Sequence, residues 1–239
     1  MYPPVNNVYP YPRGFVKKTL ALFYIIDCSG SMEGSRISMV NRSLQEALSF
    51  HLPDLQKNHE NDMNLQIGIL IFHNICSWVT GQGLVPYSGI KWEDLKAVKG
   101  SFSSMGAAFY ELNNKLQIWL PPVDCCYRPS FILISDGAPT DNWEAGLFPL
   151  KNNMAFRYGT KAAIAIEDDA DMEVLAQFTG DKKNVFKAKN DEDTLYRLIE
   201  KCTFPSSEPN SATNSFPNSV IDNPYTFPDE KNDINGWVT

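Results

Sequence analysis

Four short apolar runs, at 19–26, 65–72, 131–134 and 162–166, leave this chain few architectures to choose from. Each is nearly continuous in apolar residues, the pattern of a strand covered on both faces. The stretches between them repeat at helical spacing. Ile37, Val40, Leu44, Ala47 or Leu48, and His51 share one helix face. Met105, Ala108, Phe109, Leu112, Leu116 and Trp119 share another. The run 75–80 follows the second strand after only His73 and Asn74, so it folds back on that strand as a hairpin partner. Helices are expected near 171–178 and 191–201, with a short strand near 184–187 between them. The alternation predicts a Rossmann-like, three-layer α/β sandwich. Its central sheet is mostly parallel with one antiparallel edge strand, and helices cover both faces. No internal repeat is visible.

The two ends differ in composition. Residues 1–14 form a leader rich in Pro and Tyr. In the stretch 203–239, Pro, Asn, Ser and Thr make up 20 of 37 residues. Such a tail buries too little apolar surface to fold alone. The folded domain is therefore expected at 15–202, with the tail as a candidate docking segment.

Charge and cysteine usage exclude several function classes. A net charge of −7 with no Lys/Arg cluster argues against a nucleic-acid surface. No apolar run reaches the ~18 residues of a membrane span, and no basic-then-apolar leader begins the chain. No membrane association and a cytoplasmic location are the resulting expectations. Five cysteines at irregular spacing, with no Cys-x-x-Cys pair, suggest neither a disulfide framework nor a zinc site.

In open α/β sheets, ligands bind beyond the carboxyl ends of the strands. The first strand runs into Asp27-Cys28-Ser29-Gly30-Ser31, and the third into Ser135-Asp136-Gly137-Ala138-Pro139-Thr140-Asp141. Ser103-Ser104-Met105-Gly106 precedes the middle helix. These loops place short oxygen-bearing side chains beside glycines, which let a backbone approach closely or take positive φ. Asp27 and Asp136 would neutralise a divalent cation, and the hydroxyls of Ser29, Ser31 and Ser103 would add neutral oxygen ligands. Such a donor set suits Mg²⁺ or Mn²⁺, with Ca²⁺ a poorer fit. An open position would remain for an outside carboxylate. Gly30, Ser104, Gly106, Gly137 and Asp141 are expected to support the loops. Two roles are open to Asp141: orienting the metal loop, or capping a helix that begins near Trp143, the latter slightly favoured.

At these residues the chain resembles the von Willebrand factor A (vWA) family. That family's metal-ion-dependent adhesion site has the pattern Asp-x-Ser-x-Ser, then Thr, then Asp. Asp27, Ser29 and Ser31 match the first element and Asp136 the last. Ser103 stands where the family usually carries Thr, with Ser104 as the alternative. The stretches 23–31, 128–143, 163–166 and 168–175 look like the bacterial TerY-type branch linked to tellurite resistance. The resemblance covers roughly 19–200. It implies a metal completed by a partner protein's acidic side chain, and a scaffold or regulator acting with a protein kinase and phosphatase in a chemical-stress setting.

Catalysis is not expected. There is no Gly-x-Ser-x-Gly elbow and no Gly-x-x-x-x-Gly-Lys phosphate loop. His51, His59 and His73 form no base or ligand constellation. Asp168, Asp169 and Asp171 lack the glycine and glutamate of an EF-hand, and read as acidic caps at a helix start. The expected function is a non-catalytic, metal-dependent protein-binding module with no small-molecule substrate. The alternatives are an adaptor of an AAA+ ATPase and, behind it, a Mg²⁺-dependent phosphohydrolase.

Overall fold

A computed structural model describes residues 17–81, 83–119, 126–166, 170–188 and 192–203. The leader and nearly all of the tail lie outside these residues, as do Asp168 and Asp169.

The strands are β1 (Lys18–Asp27), β2 (Met63–Phe72), β3 (Cys76–Trp78), β4 (Val85–Pro86), β5 (Ser130–Ser135), β6 (Thr160–Ile166) and β7 (Val185–Ala188). They form one seven-stranded sheet in the order β3-β2-β1-β5-β6-β7, with β4 also on β2. The pairs β1–β2, β1–β5, β5–β6 and β6–β7 are parallel. β3 and β4 both run antiparallel to β2, against Leu70–Phe72 and Gln66–Ile67 respectively. The expected antiparallel edge is thus made of two short strands. Proline at the second position of β4 suits an edge, where its missing N–H costs no ladder bond.

The helices are α1 (Ser35–Glu46), α2 (Leu52–Asn58), α3 (Met105–Trp119), α4 (Trp143–Asn152), α5 (Met154–Tyr158), α6 (Met172–Thr179) and α7 (Glu192–Thr203). Side-chain alternation along β1 sorts them into two layers. Leu20, Leu22, Tyr24 and Ile26 join Val40 and Leu44 of α1, Leu52 and Leu55 of α2, and Leu195 and Ile199 of α7. Ala21, Phe23 and Ile25 join Phe109 and Leu112 of α3, Leu147 of α4, Phe156 of α5 and Leu175 of α6. Both faces of the sheet are therefore dry, which is why its strands read as unbroken apolar runs. Each large aliphatic side chain buried this way contributes about 1.5–3 kcal/mol.

The helix expected through His51 does not run as one regular α-helix. A π-helical turn, Ala47–His51, joins α1 to α2. Pro53 lies in the first turn of α2. It has no N–H for the carbonyl of Ser49 and its ring crowds that carbonyl, so the turn widens there.

Candidate metal centre

The chain passes from β1 to β2 on one side of the sheet, then returns to place β5 on the other side of β1. Strand order reverses between β1 and β5, and ligand crevices in such sheets open at this reversal. Asp27 ends β1, and Asp136 follows the last residue of β5.

Asp27 is fully buried. Its Oδ1 accepts the Ser29 N–H at 2.8 Å. Its Oδ2 accepts the hydroxyls of Ser103 at 3.0 Å and Ser135 at 2.8 Å. Burial raises the carboxyl's pKa above the usual range, the donors from Ser29 and Ser135 pull it back, and the charge of Asp136 pushes it up. Asp136, also buried, accepts the Ala138 N–H at 3.3 Å on Oδ1 and Arg36 Nη1 at 3.3 Å on Oδ2. The Ser29 and Ser31 hydroxyls lie 3.1 Å apart. Ser29 and Ser103 are buried whereas Ser31 is exposed, so the cluster opens to solvent at Ser31.

The second serine of the Ser103-Ser104 pair does different work from the first. Its carbonyl accepts the first helical bond of α3, from Ala108, and its N–H donates to the His73 carbonyl at 3.1 Å. Ser103 is held by Thr140, whose hydroxyl accepts the Ser103 N–H at 3.0 Å and whose N–H donates to the Ser103 carbonyl at 2.9 Å. Gly30 donates its N–H to the Ser101 carbonyl at 3.3 Å, tying the first loop to the segment before Ser103.

Three glycines set the loop geometry. A Cβ on Gly106 would lie 2.6 Å from the Asn142 carbonyl oxygen, and one on Gly146 would meet the Gly106 backbone. The start of α3 therefore rests directly on α4. Gly137 has φ 71°, and a Cβ there would lie 2.8 Å from the Asp171 carbonyl oxygen. The Asp171 N–H donates to the Asp136 carbonyl at 3.1 Å, and its side chain caps α6. The helix from Trp143 is capped by Asn142, whose side chain accepts the Ala145 N–H at 3.1 Å, and not by Asp141. Asp141 instead accepts the N–H groups of Gly106 and Ala107, both at 3.0 Å. Its charge lies where the dipole of α3 favours an anion.

The donor chemistry fits a hard divalent cation. The cluster holds two carboxylates and three hydroxyls, and no softer ligand among the named side chains. An Mg²⁺ octahedron with bonds of 2.0–2.1 Å has edges of about 2.9 Å. The Ser29–Ser31 hydroxyl separation of 3.1 Å is close to such an edge. The Arg36 guanidinium on Asp136 supplies a positive charge at the same carboxylate. Phe102, the residue before Ser103, and Ile75, two residues after His73, are 66 % and 63 % exposed, and the Phe102 N–H is fixed at 2.7 Å by the side chain of Asn74.

Three contributors escape a reading of the sequence alone: Ser135, Thr140 and Arg36. Ser135 has a visible signal, since it is the polar end of an otherwise apolar strand, one residue before Asp136. Arg36 has a subtler one. It is a cation in the first turn of a helix with no acidic residue there, a position the dipole disfavours.

No protein-family model matches the sequence, and no curated protein is similar to it in sequence. Solved structures do match. A von Willebrand factor type A protein from Catenulispora acidiphila superposes with a TM-score of 0.58 at 17 % identity, covering 79 % of this chain and 43 % of its own. The pilus adhesin SpaC from Lactobacillus rhamnosus GG gives 0.59 at 12 %, with 78 % and 30 % covered. Proximal thread matrix protein 1 of the mussel byssus, in a form with a zinc-occupied MIDAS motif, gives 0.57 at 17 %, with 78 % and 48 % covered. The present chain spans less than half the length of each. At these identities the likeness is one of fold, and the fold is that of vWA domains.

Proposed function

We propose that this chain is a divalent-metal-dependent protein-binding module and not an enzyme. The observation that carries this reading is the convergence of Asp27, Ser29, Ser31, Ser103 and Asp136 at the strand-order reversal, closed below by Ser135 and open above at Ser31. Asp27, Ser29, Ser31, Ser103 and Asp136 would hold the ion, with Asp27 also orienting the hydroxyls of Ser103 and Ser135. A bound Mg²⁺ or Mn²⁺ would supply a Lewis-acidic position for an anionic oxygen. The zinc-bearing neighbour supports a divalent ion in this fold. The all-oxygen donor set favours Mg²⁺ or Mn²⁺ over zinc here. The partner would present an acidic side chain to the metal and apolar side chains to Phe102 and Ile75.

The finer setting rests on the resemblance to the TerY-type branch: a cytoplasmic bacterial scaffold or regulator working with a protein kinase and phosphatase under tellurite-type stress. Among the described residues no helix is long and apolar enough to cross a membrane. The adhesin among the neighbours favours protein recognition in general.

The test is a thermal melt with and without metal. A ligand that binds only the folded state raises its melting temperature. Millimolar Mg²⁺ or Mn²⁺ should raise the wild-type value, and Asp27→Ala should abolish the shift while folding normally. No shift at millimolar metal would refute the reading. Turnover of a phosphate ester that Asp27→Asn abolishes would replace it with a phosphohydrolase.

A further inference from the structure

Arg36 is the second residue of α1, where the positive end of the helix dipole repels a cation. It is nevertheless tucked in, with a side-chain exposure of 15 % against 4 % for Asp136. Its Nη1 donates to Asp136 Oδ2 at 3.3 Å and to the Ser31 carbonyl oxygen at 3.2 Å. The guanidinium thus links the carboxylate and the loop that together would hold the metal. It brings its charge to an oxygen that a divalent ion would also use. The two cations cannot share Asp136 Oδ2 without repulsion, strongest on the buried side of that carboxylate.

We propose that Arg36 is the resident cation of this site and competes with the divalent ion for Asp136. Metal entry then releases the guanidinium toward the open side, where it binds the acidic group of the partner. This rests on the metal-binding reading above. The charge count supports it. Among the described residues of the cluster, Asp27, Asp136 and Arg36 sum to −1, which calls for no outside anion. With a divalent ion and Arg36 at the rim the sum is +1, which an incoming carboxylate neutralises. A guanidinium beside a metal offers that carboxylate two points of attachment. By linkage, whatever engages the released Arg36 also tightens the metal.

The test is isothermal titration of Mn²⁺ into the wild type, Arg36→Gln and Arg36→Met. Glutamine keeps a donor for Ser31 and Asp136 but no charge; methionine keeps only the packing. Both should bind Mn²⁺ more tightly, by about 5- to 100-fold on the usual scale of such couplings. Binding by the variants alone would show that Arg36 shuts the ion out of the wild type, and would overturn both its release by metal and the metal-dependent reading. Equal or weaker binding by the variants, with the wild type still binding, would overturn the role of Arg36 and leave the metal reading intact. Binding by none of the three would overturn both. A second readout needs no substitution. In the wild type labelled with ¹⁵N-arginine, Mg²⁺ should speed solvent exchange of the Arg36 Nε–H. An unchanged exchange rate with metal bound would reject the release of Arg36, even if both variants fail to fold.

Discussion

Ser135 donates its hydroxyl to Asp27 Oδ2 across 2.8 Å, joining the end of β5 to the end of β1. The same Ser135 oxygen accepts the N–H of Gly137 at 2.9 Å, so it also shapes the turn that carries Asp136. One hydroxyl therefore sets the relative position of the two carboxylates. Ser135→Ala should remove about 1.5–3 kcal/mol of stability, the usual worth of a hydrogen bond to a charged group. It should also weaken Mn²⁺ binding about tenfold, as loss of an orienting partner commonly does. Urea melts and titration calorimetry would measure the two effects. If both stay at the wild-type level, Ser135 is a spectator.

Gly106→Ala tests whether the α3–α4 contact sets the position of Ser103. The added Cβ would meet the Asn142 carbonyl oxygen at 2.6 Å and Trp143 Cα at 2.8 Å, both backbone atoms that cannot swing away. A loss of about 1–3 kcal/mol is expected from overpacking. Ala107 is exposed, so Ala107→Ser is the matched control and should be near neutral. Equal melting temperatures for the two variants would show that the contact relaxes freely.

The sheet was legible in the sequence because both of its faces are buried. Strands such as β1 and β5 carry no polar side to confuse them with loops, and Asp27 and Asp136 stand where the apolar runs stop. The π turn at Ala47–His51 was not legible, since the apolar spacing through it still reads as helical; only Pro53 marked it. β4 is two residues long and too short for any periodicity. At the site, the pattern Asp27-x-Ser29-x-Ser31 announced itself, whereas the function of Arg36 depends on an ion pair spanning a hundred residues. The cap at Trp143 belongs to Asn142 and not to Asp141, because neighbouring side chains cap different helices and sequence order does not say which helix start each one faces.

Helix α7 is tied to the sheet by Thr203. Its hydroxyl lies 2.9 Å from the Tyr24 hydroxyl, and it donates to the Ile199 carbonyl at 2.7 Å. Tyr24 is 1 % exposed, so its hydroxyl has no access to water as a substitute. Thr203→Val should cost about 1–3 kcal/mol by stranding that hydroxyl. Tyr24→Phe made in the Thr203→Val background should recover much of the loss, because an apolar pair strands nothing. A double-mutant cycle by chemical denaturation that returns additive costs would deny the coupling.

His51 gives the domain a pH dependence on its acid side. It closes the π turn and is 7 % exposed at the side chain, with Nδ1 3.3 Å from Glu200 Oε1 on α7. Burial holds its pKa below the ordinary histidine value, and the charges of Glu200 and Asp54 pull the other way without overcoming it. The unfolded chain keeps the ordinary value of about 6.5. Above that pH the imidazole is neutral in both states and His51 adds no slope. As the pH drops below it, the unfolded chain takes up the proton first, and its extra bound proton lowers the stability of the fold. The loss continues until the pH has passed through the lower pKa of the folded state. His51→Gln keeps a donor toward Glu200 and removes the titration. Melting temperatures of the two proteins should therefore converge between about pH 7 and pH 5, with the wild type falling more steeply. A gap that stays constant, or widens in favour of the wild type, would mean that Glu200 outweighs burial and that the folded protein binds the proton more tightly.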